Sequence, residues 1–293
     1  MVSGSRASFV RGTGIIAGTM TDSPLVLVTG STDGIGRETA RQLVRRGARV
    51  IVHGRSATKA AEAHDELQAL GGRPQPAPVV ADLASLDSVR GMADELLARD
   101  EPLQVLLNNA GIYARERKLS EDLLELTMAV NHFAPFLLTH RLLPALQRAG
   151  GARIVNVSSI AHTRGTIDLE DIQLTHGFTH YGAYAASKLA NVLFTVELAA
   201  RLGVGITVNA LHPGVVSTKL LTQGFQMEGH DSPAKASETS VFLALSPEVE
   251  GVTGQYFSHS KVAPRSPAAS DETLCRRFYE LSCDITGVEP LPA

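Results

Sequence analysis

The stretch LVLVTGSTDGIGRETA, residues 25–40, runs an apolar, β-branched segment into three glycines and then into a helix-forming segment. Gly30, Gly34 and Gly36 fall where the strand must turn, spaced G-x-x-x-G-x-G rather than the commoner G-x-G-x-x-G. Such a turn brings backbone N–H groups and a helix N-terminus up to a pyrophosphate with no side chain in the way. A nucleotide is therefore the expected ligand of the loop Gly30, Ser31, Thr32, Asp33, Gly34, Ile35 and Gly36. Glycines alone would fit a plain tight turn equally well; the strand before them and the helix after them decide against it.

Outward from this turn the same alternation continues along the chain. Apolar runs at 25–30, 49–54, 77–83, 103–111, 152–159, 205–214 and 254–258 alternate with helical periods at 36–47, 57–71, 85–99, about 120–148, about 180–202 and 234–246. Seven strands separated by helices imply a parallel sheet covered on both faces, and right-handed crossovers make it a doubly wound α/β (Rossmann-type) fold. Residues 21–293 then form one domain, with a C-terminal helix near 268–284. The Gly- and Pro-broken stretch 215–235 reads as a lid over the site. Residues 1–20 lack an apolar run fit for a signal peptide, and they read as a disordered extension ahead of Met20.

Composition narrows the class. The chain has 293 residues, 44% of them hydrophobic, and a net charge of −3, so no basic field argues for nucleic acid. No segment reaches the length of a membrane span. Ten scattered histidines and two cysteines offer no metal-ligand spacing, so no metal is expected. Cys275 and Cys283, eight apart on a helix, would stand about 12 Å apart along its axis, which rules out a disulfide between them. The protein reads as reduced and cytoplasmic.

In a doubly wound fold, ligands lie at the carboxyl ends of the strands. After the second strand, where a carboxylate would hold a ribose 2′-hydroxyl, the chain offers His53, Gly54 and Arg55. An arginine without an acid suits a 2′-phosphate, which favours NADP over NAD. Asp82 with Leu83, after the third strand, is placed to meet the adenine, although Asp82 competes with Ser85 for the next helix cap. Asn108, Ala110 and Gly111 of LLNNAG are expected to line the cofactor, with Asn109 stitching neighbouring strands. Pro213 and Gly214, after the sixth strand, would close over the nicotinamide.

The stretch YGAYAASK, 181–188, carries two tyrosines and one lysine. Residues four apart share a helix face, so Tyr184 and Lys188 can act together, whereas Tyr181 lies about 10 Å from the lysine along the axis. A phenol near pKa 10 shuttles protons poorly at neutral pH, but a nearby ammonium and an oxidised nicotinamide both favour the phenolate. Tyr184 is therefore the expected general acid/base, with Tyr181 at the mouth.

Taken in order, TGSTDGIG, NNAG, Asn131 within AVNHF, IVNVSS, YAASK and HPGVVST resemble the short-chain dehydrogenase/reductase family over about residues 24–258. SSIAHTRGTIDLEDI, YAASKLANVLFTVELAARL and VNALHPG are similar to its retinol dehydrogenase-like branch. The resemblance implies hydride transfer between NADP(H) and an alcohol, ketone or aldehyde. It gives Ser159 the task of holding the substrate oxygen, Lys188 a hydrogen bond to the nicotinamide ribose as well, and Asn131 a water-linked proton relay. Ser158, pointing to the other face by the two-residue period, competes with Ser159. The resemblance also places Val216 at the carboxamide and Thr218 at the carboxamide or pyrophosphate, and suggests a homodimer or homotetramer. The 24 residues from 160 to 183 are longer than the equivalent in shorter family members and are expected to form one substrate wall. Leu220, Leu221, Phe225 and Met227 in the lid point to a lipophilic substrate. A dehydratase or epimerase on the same fold would call for catalytic carboxylates, and a non-catalytic sensor or scaffold would show a degraded Ser, Tyr or Lys; neither is seen.

Overall fold

A computed structural model describes residues 23–216, 222, 229 and 231–292. The expected extension 1–20, and Thr218, Leu220, Leu221, Phe225 and Met227 of the expected lid, lie outside the described residues. The strands are β1 (Leu25–Val28), β2 (Arg49–Gly54), β3 (Val79–Val80), β4 (Val105–Asn108), β5 (Ala152–Val157), β6 (Ile206–His212), β7 (Tyr256–Ser258) and β8 (Lys261–Val262). They form one sheet in the order β3-β2-β1-β4-β5-β6-β7-β8. Every pairing is parallel except β7 with β8.

The helices are α1 (Gly34–Arg45), α2 (Ala57–Leu70), α3 (Leu86–Ala98), α4 (Leu126–Met128), α5 (Ala134–Arg148), α6 (His180–Arg201), α7 (Pro233–Leu245) and α8 (Glu272–Thr286). Alternate strand residues feed two cores, as a period of two requires. Leu25, Leu27, Ile51, Leu106, Ile154 and Val208 pack with α3, α5, α6 and α8. Val26, Val28, Val50, Val52, Val105, Leu107 and Val155 pack with α1, α2 and α7. The expected doubly wound fold is present, with the strand order reversing between β1 and β4.

Three expectations are corrected. An eighth strand follows the seventh through a two-residue turn in which His259 and Ser260 both have positive φ, 52° and 58°. That geometry matches the twist of a tight hairpin, and His-Ser carries none of its usual Asn-Gly signature. The long helix expected over 120–148 is broken, with α4 passing through a π-helical turn, Ala129–Phe133, into α5. Pro135 has no N–H to offer an α-helical partner, so the wider turn costs one hydrogen bond fewer there. The C-terminal helix begins at Glu272, capped by the Asp271 side chain, and ends at Gly287 with φ 68°.

The glycine turn is fastened to β2 from inside. His53 is buried; its Nδ1 accepts from Gly30 N–H at 3.0 Å, and its Nε2 lies 3.2 Å from Ala81 O. A carbonyl only accepts, so the hydrogen sits on Nε2 and the ring is held neutral. Ser31 N–H donates to His53 O, and Ser31 Oγ accepts from His53 N–H, both at 3.0 Å. Deeper in the sheet, Asn108 Nδ2 donates to Asn156 Oδ1 (2.9 Å), and Asn156 Nδ2 donates to Thr195 Oγ1 (2.9 Å), joining β4, β5 and α6.

Burial lowers the His53 imidazole to about 4, against about 6.5 in an unfolded chain. Between those values the unfolded chain binds a proton that the native one does not, so stability is fully present above about pH 6.5 and falls as pH drops toward 4. His53→Gln is expected to flatten this slope in urea titrations run between pH 7 and pH 4.5; an unchanged slope would refute the assignment. Asn156→Ala leaves the Thr195 hydroxyl without its donor and removes one acceptor from Asn108, and should cost about 1–3 kcal/mol by urea denaturation.

Candidate active site

Parallel strands carry their following loops to one edge, and there the expected catalytic residues meet. Ser159 follows β5 and caps a 3₁₀ turn, Ile160–Arg164, its Oγ accepting from Ala161 N–H at 3.2 Å. Its hydroxyl is hydrogen-bonded to the Tyr184 side chain. The competing Ser158 is buried and donates to Lys188 O at 2.7 Å, so it belongs to the scaffold. Thr179 starts α6 by accepting from Gly182 N–H, and one turn later Tyr184 and Lys188 share a face. Lys188 Nζ stands 5.6 Å from the Tyr184 ring centre and donates to Val157 O at 3.0 Å. Tyr181, 37% exposed, sits nearer the surface.

Burial dominates the electrostatics of both groups. It pushes the Tyr184 phenol up to about 12 and the Lys188 ammonium down to about 8. The lysine by itself does not acidify the phenol, because loss of water outweighs an ammonium that points past the ring toward a carbonyl; the expectation names the oxidised nicotinamide as the second charge favouring the phenolate. Tyr184 is held as the neutral phenol, hydrogen-bonded to Ser159.

Asn131 lies in the π-helical turn, which swings its side chain onto the backbone after β4. Its Oδ1 accepts from Ile112 N–H (2.7 Å), and its Nδ2 donates to Ile112 O (3.0 Å) and Ser187 Oγ (2.9 Å). Gly111 has no side chain to fill the space in front of these groups. A Cβ there would stand 3.4 Å from both Asn131 Oδ1 and Lys188 Nζ.

The remaining predicted positions divide between groove and scaffold. Gly30 adopts φ 64°, and a Cβ on Gly36 would meet Gly30 O at 2.3 Å, so both glycines are required where α1 closes on the turn. Asp33 is exposed and caps α1, accepting from Gly34 N–H; Thr32 packs on Gly54, and Ile35 is half-buried. The side chains of Ser31, Leu83 and Asn108 face inward: Ser31 bonds β2, Leu83 is in the core, and Asn108 bonds Asn156 and Thr139. Asn109 stitches β4 to β1 as expected, its Nδ2 donating to Thr29 O at 2.8 Å. Ala110 N–H is held by Thr29 Oγ1. Arg55 is exposed just past β2, and Asp82 is exposed past β3, accepting from Ala84 N–H while Ser85 caps α3. Pro213 and half-buried Gly214 (φ 104°) lead into buried Val216.

Several contributors escaped the sequence reading. Asp231 Oδ2 accepts from Val215 N–H at 2.9 Å, and Asp231 bridges Val216, fastening both ends of the intervening segment. Tyr113 stands 5.5 Å, ring centre to ring centre, from both Tyr184 and His180, and its hydroxyl meets His180 Nδ1. The wall 160–183 is tied down where a Cβ on Gly165 would strike Ala185 O at 2.4 Å, and where Gln173 accepts from Glu125 N–H. None of these pairings follows a sequence period, so no local signal marks them.

The cofactor expectation passes the test of these residues. The glycine turn, the clear space over Gly111 and a buried lysine beside a phenol suit a nicotinamide dinucleotide lying along the strand ends. Among the described residues no cluster has metal-ligand character, and no helix is long and apolar enough to cross a membrane.

A model of the short chain dehydrogenase family matches residues 24–229. Retinol dehydrogenase 14 of Mus musculus is 40% identical over 286 residues, covering 90% of this chain and 86% of its own length. Retinol dehydrogenase 12 of Bos taurus is 39% identical with the same coverage. Among solved structures, an uncharacterised protein from Mycobacterium paratuberculosis matches with a TM-score of 0.78 and 32% identity, covering 94% of this chain and 97% of that one. A short chain dehydrogenase from Shigella flexneri, complexed with NADP, matches with a TM-score of 0.69 and 28% identity over 83% of this chain and 99% of that one. With a family match over most of its length and relatives this similar from end to end, the chain belongs to the short-chain dehydrogenase/reductase family of NAD(P)-dependent oxidoreductases, alongside retinol dehydrogenases.

Proposed function

We propose that the protein moves a hydride between NADP(H) and the hydroxyl or carbonyl carbon of a lipophilic small molecule, with Tyr184 as general acid/base. The observation that carries this reading is the hydrogen-bonded pair of Tyr184 and Ser159 above a buried lysine at the carboxyl edge of the sheet. Arg55, exposed past β2 with no carboxylate beside it in sequence, supports a 2′-phosphate partner. The solved structures titled as complexes with NADP and NADPH support the same cofactor. The names of the retinol dehydrogenase relatives support a lipophilic substrate, as do Ile160, 56% exposed beside Ser159, and the tyrosines at the mouth. Two free, buried cysteines support a reducing, cytoplasmic setting.

The nicotinamide supplies or accepts the hydride when bound. The residues of the chain manage the proton and the oxygen. Ser159 Oγ already accepts from Ala161 N–H, so its own hydrogen is directed toward Tyr184 and the substrate oxygen. The neutral phenol carries the proton that reduction of a carbonyl consumes. In the oxidative sense the phenol must first lose its proton, and bringing it from about 12 to near 7 takes about 7 kcal/mol of differential stabilisation. Lys188 and Asn131 extend the polar path inward from Tyr184, through Gly111's open side.

Tyr184→Phe is expected to lower kcat for NADPH-dependent carbonyl reduction by at least about 100-fold, with NADPH binding, read by fluorescence titration, within about threefold of the parent. Retained turnover would refute the role given to the phenol. Arg55→Ala should raise the Kd for NADPH about tenfold or more and leave that for NADH unchanged; equal effects on both would remove the 2′-phosphate assignment.

A further inference from the structure

His162 is fully buried three residues after Ser159, and both of its N–H groups address the Ser159 carbonyl. The backbone N–H lies 3.1 Å from that oxygen and the ring Nδ1 2.7 Å. A carbonyl only accepts, so Nδ1 carries the ring hydrogen. On the far side of the ring, Ser266 N–H donates to Nε2 at 3.3 Å. An amide nitrogen only donates, so Nε2 is the acceptor, and the two partners together fix a single neutral tautomer. Ser266 lies between β8 and α8, is buried, and is itself anchored, its Oγ accepting from Ala269 N–H. The Tyr256 ring packs 4.4 Å from the imidazole.

We propose that His162 is a positioning residue for the reaction: by clamping the Ser159 carbonyl through Nδ1, in the tautomer that Ser266 N–H selects, it sets the aim of the serine hydroxyl. The ring exchanges no proton with substrate. It acts by keeping the turn Ser159–Arg164 at one angle to α6, so that the Ser159 hydroxyl stays on Tyr184. Misplacing a polarising group by a fraction of the substrate oxygen's hydrogen-bond length lowers turnover without touching cofactor affinity.

This inference rests on Ser159 polarising the substrate oxygen. The two halves of the clamp separate by side-chain length, because an asparagine amide can stand in for Nδ1 and a glutamine amide for Nε2. His162→Asn is expected to keep kcat within about threefold of the parent while lowering Tm, since the donor to Ser159 survives and the tie to Ser266 is lost. His162→Gln is expected to retain more of the Tm and to lose about 10–100-fold in kcat, with KM for the carbonyl substrate and Kd for NADPH within about twofold. Equal kcat in the two variants, or an undiminished kcat in His162→Gln, would overturn the proposal. Ser159→Ala is measured in parallel: full activity there removes the catalytic reading itself, whereas an inactive Ser159→Ala beside a fully active His162→Gln removes only the clamp. In the unaltered protein, two-bond ¹H–¹⁵N correlations assigned to His162 should show the Nδ1–H tautomer at pH 7. An Nε2–H or imidazolium pattern would overturn the proposal whether or not the variants fold.

Discussion

A lysine ammonium taken out of water with no carboxylate beside it is the constraint around which this site is arranged. Lys188 is 3% exposed, makes no ion pair among the described residues, and rests its charge on one peptide carbonyl, Val157 O. Desolvation of that kind disfavours the cation and, one helical turn away, disfavours the Tyr184 phenolate as well. The two groups therefore sit in opposite states, one charged against its environment and one neutral because of it. Polar neighbours are rationed accordingly. Asn131 is committed to Ile112 and Ser187, and Asn191 shares Val157 O with the lysine. The remaining openings face Gly111 and Ser159, toward the groove, so anything that relieves the buried charge must arrive from the ligand side.

The half of the molecule facing β1, α1 and α6 was readable from residue order because it obeys short-range rules. Three glycines at a strand end force a turn, and a separation of four places Tyr184 over Lys188, whatever the rest of the fold does. Period-two alternation also separated Ser158 from Ser159 correctly. What residue order does not reveal has a different cause. Ser31, Leu83 and Asn108 stand in stretches that do border the groove, but each side chain points to a partner far away in sequence: His53, the core and Asn156. In the π-helical turn, the Asn131 amide is bonded to Ile112, 19 residues earlier, a pairing that no helical period encodes. The upward shift of the phenol likewise reflects burial, a property of packing rather than of spacing.

Behind the site, α8 completes the enclosure by joining the π-helical turn. Ser282 Oγ donates to Phe278 O and lies 3.0 Å from His132 Nε2, so the imidazole donates to the serine. The ring is packed edge-on or tilted among Phe133, Phe136, Phe194 and Phe278, and burial drives it down to about 3. About two helix turns on, His140 is held between Phe136 O and the Tyr279 hydroxyl. A helix appended after the last strand is thus bonded next to Asn131, and the connector before it is bonded to His162. The end of the chain is wired into the chemistry at its middle.

The Asp231 latch has a consequence of another kind. By accepting from Val215 N–H and pairing with Val216, it brings positions 216 and 231 side by side. Closing a surface loop costs free energy only logarithmically with its length. A segment of different length and composition spliced between those posts would leave Pro213, Gly214 and the strand beneath them where they are. The latch thereby makes the placement of Pro213 and Gly214 independent of the length of chain that joins positions 216 and 231.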